Sequence, residues 1–294
     1  MSATATHRAR SAPLAPSTGS ARSQAGVRAA IRWETRKLRA QLRSKALLLG
    51  AVLAPIAVVV VVGSQSRPPK DTLFGRFSTE NGFAMALLVL GFASQWLLPL
   101  VTAIVAGDIF ASEDQHGTWK TVLTRSVSRS RLFWAKVVVA LGFGLLALVL
   151  LAAATIATSL LVVGRQPLTG LSGQQIAPGS ALALVSASWA TMVPPLVAFT
   201  CLALLFSVWS RNAAVGIAGP VVLGMVMQLV GGLGGIEAIR PLLLTTPFEA
   251  WHGLLASPVF TGPLLTGCLT SLVWSAASLV AAFLVLRHRD ITGG

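Results

Sequence analysis

Six long apolar runs, separated by polar and charged stretches, set the plan of the chain. They lie near residues 46–63, 83–107, 134–163, 180–208, 213–233 and 263–286. Each holds almost no charge over a window of about 20 residues, the length a helix needs to cross a bilayer. The shortest run, residues 46–63, reaches about 27 Å at about 1.5 Å per residue, just enough to span. The pattern predicts an all-α integral membrane protein with six transmembrane helices.

Two shorter stretches carry a helical pattern of another kind. In VRAAIRWETRKLRAQLRSK, residues 27–45, the apolar Val27, Ile31, Leu38 and Leu42 fall on one narrow stripe. Arg32, Arg36, Arg39 and Arg43 lie around another face. This predicts an amphipathic interfacial helix, with Ile31, Trp33, Glu34, Leu38 and Leu42 as its marker residues. Glu34 and Lys37 stand at i,i+3, a spacing at which they can pair. The second stretch, EDQHGTWKTVLTRSVSRSR over residues 113–131, interrupts the apolar runs. Ser112, Glu113 and Asp114 suit a helix start, with acid in the first turn. Trp119, Val122, Leu123 and Val127 then share one face. A polar loop cannot bury that face by itself, so it needs lipid or a groove on another protein.

Prolines 55, 99, 194, 195 and 220 fall inside the runs. Each removes a backbone donor and favours a kink. Glycines 231, 232, 234 and 235 close the fifth run and either admit close helix contact or end the helix. The segment GGIEAIRPLLLTTPFEAWHGLLASPVFTGP before the sixth run is too apolar for a free loop and too broken by proline for a span. Short helices in the outer leaflet are expected there.

Composition supports this plan. The chain is 54% hydrophobic and 11% charged, against about 25% charged in soluble domains. Its net charge of +14 fits either nucleic acid or anionic lipid. Position decides: ten of the 23 Lys and Arg precede residue 46, as in a cytoplasmic flank facing anionic lipid. No nucleic-acid motif occurs. With the N-terminus inside, the ten are joined by five in residues 108–136, by Arg211 and by Arg287 and Arg289, eighteen in all, against five outside. That asymmetry places both termini in the cytoplasm, in a multi-pass protein of the plasma membrane. The expected organisation is a disordered basic tail over 1–26, the interfacial helix over 27–45, a six-span domain over 46–286 and a cytoplasmic tail over 287–294.

Candidate chemistry is sparse. Cys201 and Cys268 lie in apolar runs and offer neither a disulfide framework nor a zinc pattern. Glu249 and His252 are i,i+3 neighbours, but a metal needs three or four ligands and no third stands nearby in sequence. Phosphate-cradling P-loop, nucleophile-elbow and metalloprotease motifs are absent from the sequence. No enzymatic activity is therefore expected. Ionisable groups inside the runs are almost lacking, with Asp108 at the inner end of the second, which argues against an ion-driven carrier. Gln95 and Gln228 are the candidates for a substrate path.

The loop over 113–131 resembles that of ABC transporter permeases of the type-2 export class, the drug, antibiotic and polysaccharide exporters. Glu113, Gly117, Thr118, Leu123, Val127, Ser128, Arg129 and Lys136 match that family's pattern. Val122 replaces a leucine and Ser126 stands where proline is usual; Ala106-Gly107-Asp108 is also similar. The resemblance implies a half-transporter. Two copies, or this chain and a homologue, form the path, and two cytoplasmic ABC ATPase subunits bind ATP and Mg and drive it. Glu113, Gly117, Thr118, Val122, Leu123 and Arg129 would belong to the coupling helix that seats on the ATPase. No cofactor is implied on this chain. A lipophilic or amphipathic cargo, as in multidrug efflux, is expected. The rival readings are a secondary carrier, a membrane-embedded enzyme and a structural anchor.

Overall fold

The computed structural model describes residues 26–65, 69, 72–117 and 128–288. Thr118, Val122 and Leu123, together with Trp119 and Val127, lie outside the described residues, as does nearly all of both tails.

Among the described residues six helical rods are long and apolar enough to cross a membrane: Leu42–Gly63, Gly82–Gln115, Arg129–Val162, Pro178–Ser210, Ala213–Gly231 and Gly262–His288. Each expected run is recovered, with ends shifted by a few residues except where helical turns extend the second and third. The second and fourth rods form the core. Their apolar windows are 61% and 67% buried, against 17%, 22% and 28% for the first, fifth and sixth.

The chain opens with α1 (Val27–Ala40), which lies across α6 (Arg129–Val162), and continues into α2 (Leu42–Gly63). The interfacial helix is shorter than the sequence suggested. Gln41 is extended, with φ −75° and ψ 127°, and breaks the helical ladder. Its side-chain oxygen accepts from Arg43 Nε and Nη2 at 3.2 and 3.1 Å, which braces the bend. Leu42 therefore belongs to the first span, where it is 81% exposed, and not to the stripe of α1. Ile31 and Leu38 do pack on the core, whereas Trp33 points outward.

The second rod is not one continuous helix. It comprises α3 (Gly82–Phe92), a π-helical segment (Ala93–Leu97), α4 (Leu98–Ala106) and the short α5 (Ala111–Gln115). Asn81 caps α3, accepting from Phe83 N and Ala84 N at 2.8 and 3.2 Å. The π segment falls just before Pro99, whose missing N–H and bulky ring disrupt the preceding turn. Proline likewise divides the fourth rod into α7 (Pro178–Ala190) and α8 (Val193–Ser210), with Pro194 and Pro195 in the first turn of the latter. Pro55 and Pro220 remain within α2 and α9 (Ala213–Gly231).

A tight turn joins α8 to α9. Arg211 adopts the left-handed region at φ 55°, and Asn212 caps α9 by accepting from Ala214 N and Val215 N. Here α9 crosses the end of α4 so closely that a Cβ on Gly107 would strike the Gly216 carbonyl, and a Cβ on Gly216 the Gly107 carbonyl. Small residues allow backbone to meet backbone, as is common between membrane helices. The glycines at the far end of α9 do something else: the helix stops at Gly231, Gly234 meets open space and Gly235 has φ +81°.

The segment before α10 (Gly262–His288) forms two 3-10 turns, Arg240–Leu242 and Thr246–Leu255. It is fastened to α10 by Thr270 Oγ1 and Trp274 Nε1, which donate to the carbonyls of Pro241 and Leu242 at 2.6 and 2.9 Å. A two-stranded hairpin, β1 (Leu168–Thr169) with β2 (Gln175–Ile176), is the only sheet among the described residues. Its turn holds the end of the second 3-10 segment, Leu171 N donating to Leu255 O at 2.9 Å.

Candidate functional site

Two groups of ionisable and polar side chains stand out, one at each level of the bundle. The first gathers where α1, α5 and α6 meet. Lys136, on the second turn of α6, is fully buried. An ammonium group has three hydrogens to place, and Lys136 places all three: on Glu34 Oε2 at 3.0 Å, on Glu113 Oε1 at 3.1 Å and on the Ile109 carbonyl at 3.0 Å. Glu34 comes from α1 and Glu113 from α5, so one lysine ties three elements together. Lys37 also pairs with Glu113, and Arg43 at the start of α2 pairs with Asp108.

Glu34 therefore does not pair with Lys37 one turn away. The reason is the orientation of α1: Ala30 and Glu34 point inward, and both are buried. A carboxylate taken out of water needs a partner there, and the buried lysine is that partner. Three cations, Lys37, Arg43 and Lys136, face three carboxylates, Glu34, Asp108 and Glu113. The cluster is thus close to neutral, a condition for burying charge without prohibitive desolvation.

Aromatic packing supports the lysine. Its Nζ lies 5.7 Å from the Phe110 ring, and Phe133 meets Phe110 and Phe283 at centroid distances of 5.7 and 5.3 Å. The start of α5 is held from another direction. Phe110 N and Ala111 N both donate to Ser207 Oγ of α8, at 3.0 and 3.1 Å. The short helix thus begins one residue ahead of Ser112 and is capped from the fourth rod, not by its own serine.

The chain leaves this cluster at Gly117. Its N–H reaches the Asp114 carbonyl at 3.2 Å and its φ is +62°. Among the described residues nothing lies within 4 Å of a Cβ built there. Backbone angle, not close approach, is what calls for glycine. Arg129 opens α6 on the other side, after Ser128, whose hydroxyl accepts from Arg131 N.

The second group forms around Glu249 in the 3-10 segment. Gln95 of the π segment and Gln228 of α9 both donate to Glu249 Oε1, each at 3.3 Å. The two candidate path residues, 133 positions apart, thus converge on one carboxylate. Sequence reasoning weighed Glu249 only as a metal ligand beside His252. Among the described residues no group of three or more metal-ligating side chains occurs. His252 Nδ1 meets the Glu249 carbonyl at 2.7 Å, and its ring stacks on Trp251.

Depth makes this carboxylate unusual. Gln95 lies 13 residues into the rod that starts at Gly82, or about 20 Å along it at about 1.5 Å per residue. The second 3-10 segment dips into the bundle to reach it, with Phe248, Trp251 and Leu255 buried. Yet Gln95 and Glu249 are exposed on the side of the single chain, beside exposed Phe92, Trp96 and Leu229. The apolar runs alone did not reveal an ionisable group at this depth, because it belongs to none of them.

Glu34, Lys136 and Ser207 were the residues whose roles sequence reasoning missed. Lys136 carried a signal, a single cation in the run LFWAKVVVALG. Its carboxylate partners were not predictable from spacing, lying 102 and 23 positions away.

The family model described as ABC-2 family transporter protein matches residues 30–231. That match takes in most of α1, the ion cluster, the segment after it and five of the six rods. A search of curated proteins finds no match.

Proposed function

The chain belongs to the ABC-2 transporter family, and from that premise we propose that it is the membrane subunit of an ATP-driven exporter. As a family member it is a multi-pass membrane transport component. The finer reading is that two copies, or one copy and a homologue, enclose the path. Two cytoplasmic ATPase subunits bind ATP and Mg and supply the energy. The cargo is lipophilic or amphipathic, and both termini are cytoplasmic.

One observation carries the reading of a paired path: the Gln95–Glu249–Gln228 group at mid-depth on the open side of the chain. A carboxylate at that depth is costly against hydrocarbon and normally faces a bundle interior or water-filled cavity. A second copy laid against this face supplies such an interior. The apolar residues around it suit a greasy cargo, and the amides give neutral hydrogen-bonding groups along its way.

The ion cluster at the opposite level supports the coupling role. It ties α5, which ends just before residues 118–127, to α6, which begins just after them. Glu113 serves by anchoring that segment from within, not by touching the ATPase. Thr118, Val122 and Leu123 are the residues offered to the partner, and Gly117 and Arg129 frame them.

Replacing Leu123 by Asp tests this. Put into an apolar groove, an unpaired charge blocks docking, and the residue lies in none of the six rods. At equal membrane expression, the ATPase should co-purify poorly and export should stop. Full ATPase recovery with normal export would remove the coupling role.

The secondary-carrier alternative gains one point from Glu249, since carriers place an ionisable group in the membrane. The Glu249→Gln variant separates the two. A carrier driven through this carboxylate loses transport, whereas an ATP-driven exporter continues to hydrolyse ATP and to move neutral cargo.

A further inference from the structure

A cleft of about 500 Å³ opens between α1, α2 and α6. Its walls are apolar: Ile31 and Leu38 from α1, Leu48 from α2, and Val139, Phe143 and Leu146 from α6. Its charged lining residues are Arg39 and Lys45, and among the described residues no carboxylate lines it. Among the described residues neither cation has an acidic partner. The nearby carboxylates are already engaged, Glu34 and Glu113 by Lys136 and Asp108 by Arg43. Among the undescribed residues, 1–25 and 118–127 contain no Asp or Glu; the acids outside the described residues are Asp71, in the loop after the first rod, and Asp290, beyond the end of the sixth.

Two further features point to a ligand. Ser44 lines the cleft and is 97% buried, yet among the described residues its hydroxyl has no hydrogen-bond partner. An orphaned hydroxyl of this kind calls for an acceptor. Gly142 lines the same cleft, and nothing lies within 4 Å of a Cβ built on it, so a slot runs along α6 there. From Val138 to Leu146 the slot follows eight residues of helix, about 12 Å. That is long enough to take much of an acyl chain.

We propose that this cleft is a binding site for an anionic phospholipid, with the phosphate between Arg39, Lys45 and Ser44 and one tail along Gly142 and Leu146. Charge complementarity selects the occupant: two free cations and a donor at one end, hydrocarbon walls beyond. A zwitterionic lipid fits the walls but carries a compensating ammonium into a site with no carboxylate. The lipid bridges α1 to the first and third rods beside the ion cluster, and so steadies the surface helix. The transport reading enters only in deciding which leaflet supplies the lipid.

Binding to the full-length chain in detergent micelles tests the site independently of orientation and of transport. Native mass spectrometry titrates phosphatidylglycerol and phosphatidylcholine with the same acyl chains. Phosphatidylglycerol should bind at least tenfold more tightly. Each cation near the membrane surface contributes enough that Arg39→Gln with Lys45→Gln should weaken phosphatidylglycerol about 30-fold, and leave phosphatidylcholine nearly unchanged. Both side chains are exposed and unpaired, so the variant should fold. Gly142→Leu fills the tail slot and should weaken both lipids. Arg32→Gln with Arg36→Gln removes two charges from the same helix outside the cleft and should leave the preference intact. An equal loss in that control, no preference for phosphatidylglycerol, or displacement of the lipid by inorganic phosphate at the same concentration would overturn the proposal.

Discussion

The two ionisable groups obey opposite rules. At the α1 end, Lys136 is sealed from solvent and gives each ammonium hydrogen an acceptor near 3.0 Å. Deeper in the bundle, Glu249 is exposed on the single chain and receives only two neutral amides, both at 3.3 Å. The first arrangement is complete within one chain, and the second is not. A satisfied buried network rigidifies what it joins. A half-satisfied carboxylate facing outward marks where something else must come, water, cargo or a second copy. Under the proposed function the first is a strut and the second a path wall.

The contrast breaks most sharply at Lys136. Lys136→Met leaves Glu34 and Glu113 buried without their shared cation, and should cost about 3–5 kcal/mol. Thermal unfolding of the detergent-purified protein reads the loss. The triple variant Lys136→Met, Glu34→Gln, Glu113→Gln removes the charges together and should recover most of it. If the single variant is as stable as wild type, the cluster is no strut.

Next in size is the crossing of α4 and α9. Gly107→Ala sets a methyl group against the Gly216 carbonyl and should cost about 1–3 kcal/mol through a forced backbone shift. The same assay measures it. Gly91→Ala meets nothing within 4 Å in the same rod and should be harmless, which makes it the matched control.

Gly117→Val should cost about 1–2 kcal/mol, from forcing a branched residue into the left-handed region. Its effect is local, at the exit from the cluster. Unfolding should shift by no more than this, while ATPase retention and export fall. Glu249→Gln is the smallest in stability, within about 0.5 kcal/mol, because the group is exposed and its partners are neutral. Its effect should appear in transport of cationic against neutral cargo, measured with everted membrane vesicles.

The rods were legible because a bilayer demands long uncharged runs, and those runs survive any detail of packing. The breaks within them were only partly so. Pro99 and Pro194 flagged kinks, but a π segment at Ala93–Leu97 depends on how the chain relieves the strain. The helical stripe of α1 was read with Val27 and Leu42 in it, yet the face that packs includes buried Glu34. Periodicity scores apolar residues and cannot anticipate a carboxylate whose partner stands 102 positions away. The Glu249 group was illegible for a related reason. Its three members come from a π segment, a span and a 3-10 turn, and no sequence window holds them together.

Spin-label distances within the complex of permease and ATPase test the central claim most directly, that the α1 end is a strut and the Glu249 face a path wall. Labels would sit on exposed positions of one permease copy, in a background lacking Cys201 and Cys268. One pair, Arg32→Cys with Ser130→Cys, spans α1 and α6. The other, Trp96→Cys with Leu229→Cys, spans the face around Gln95 and Gln228. Between the nucleotide-free and ATP-trapped states, the first distance should stay within about 2 Å, no more than a small helix shift, and the second should change by more than that. A first distance that changes while the second stays fixed would contradict the account.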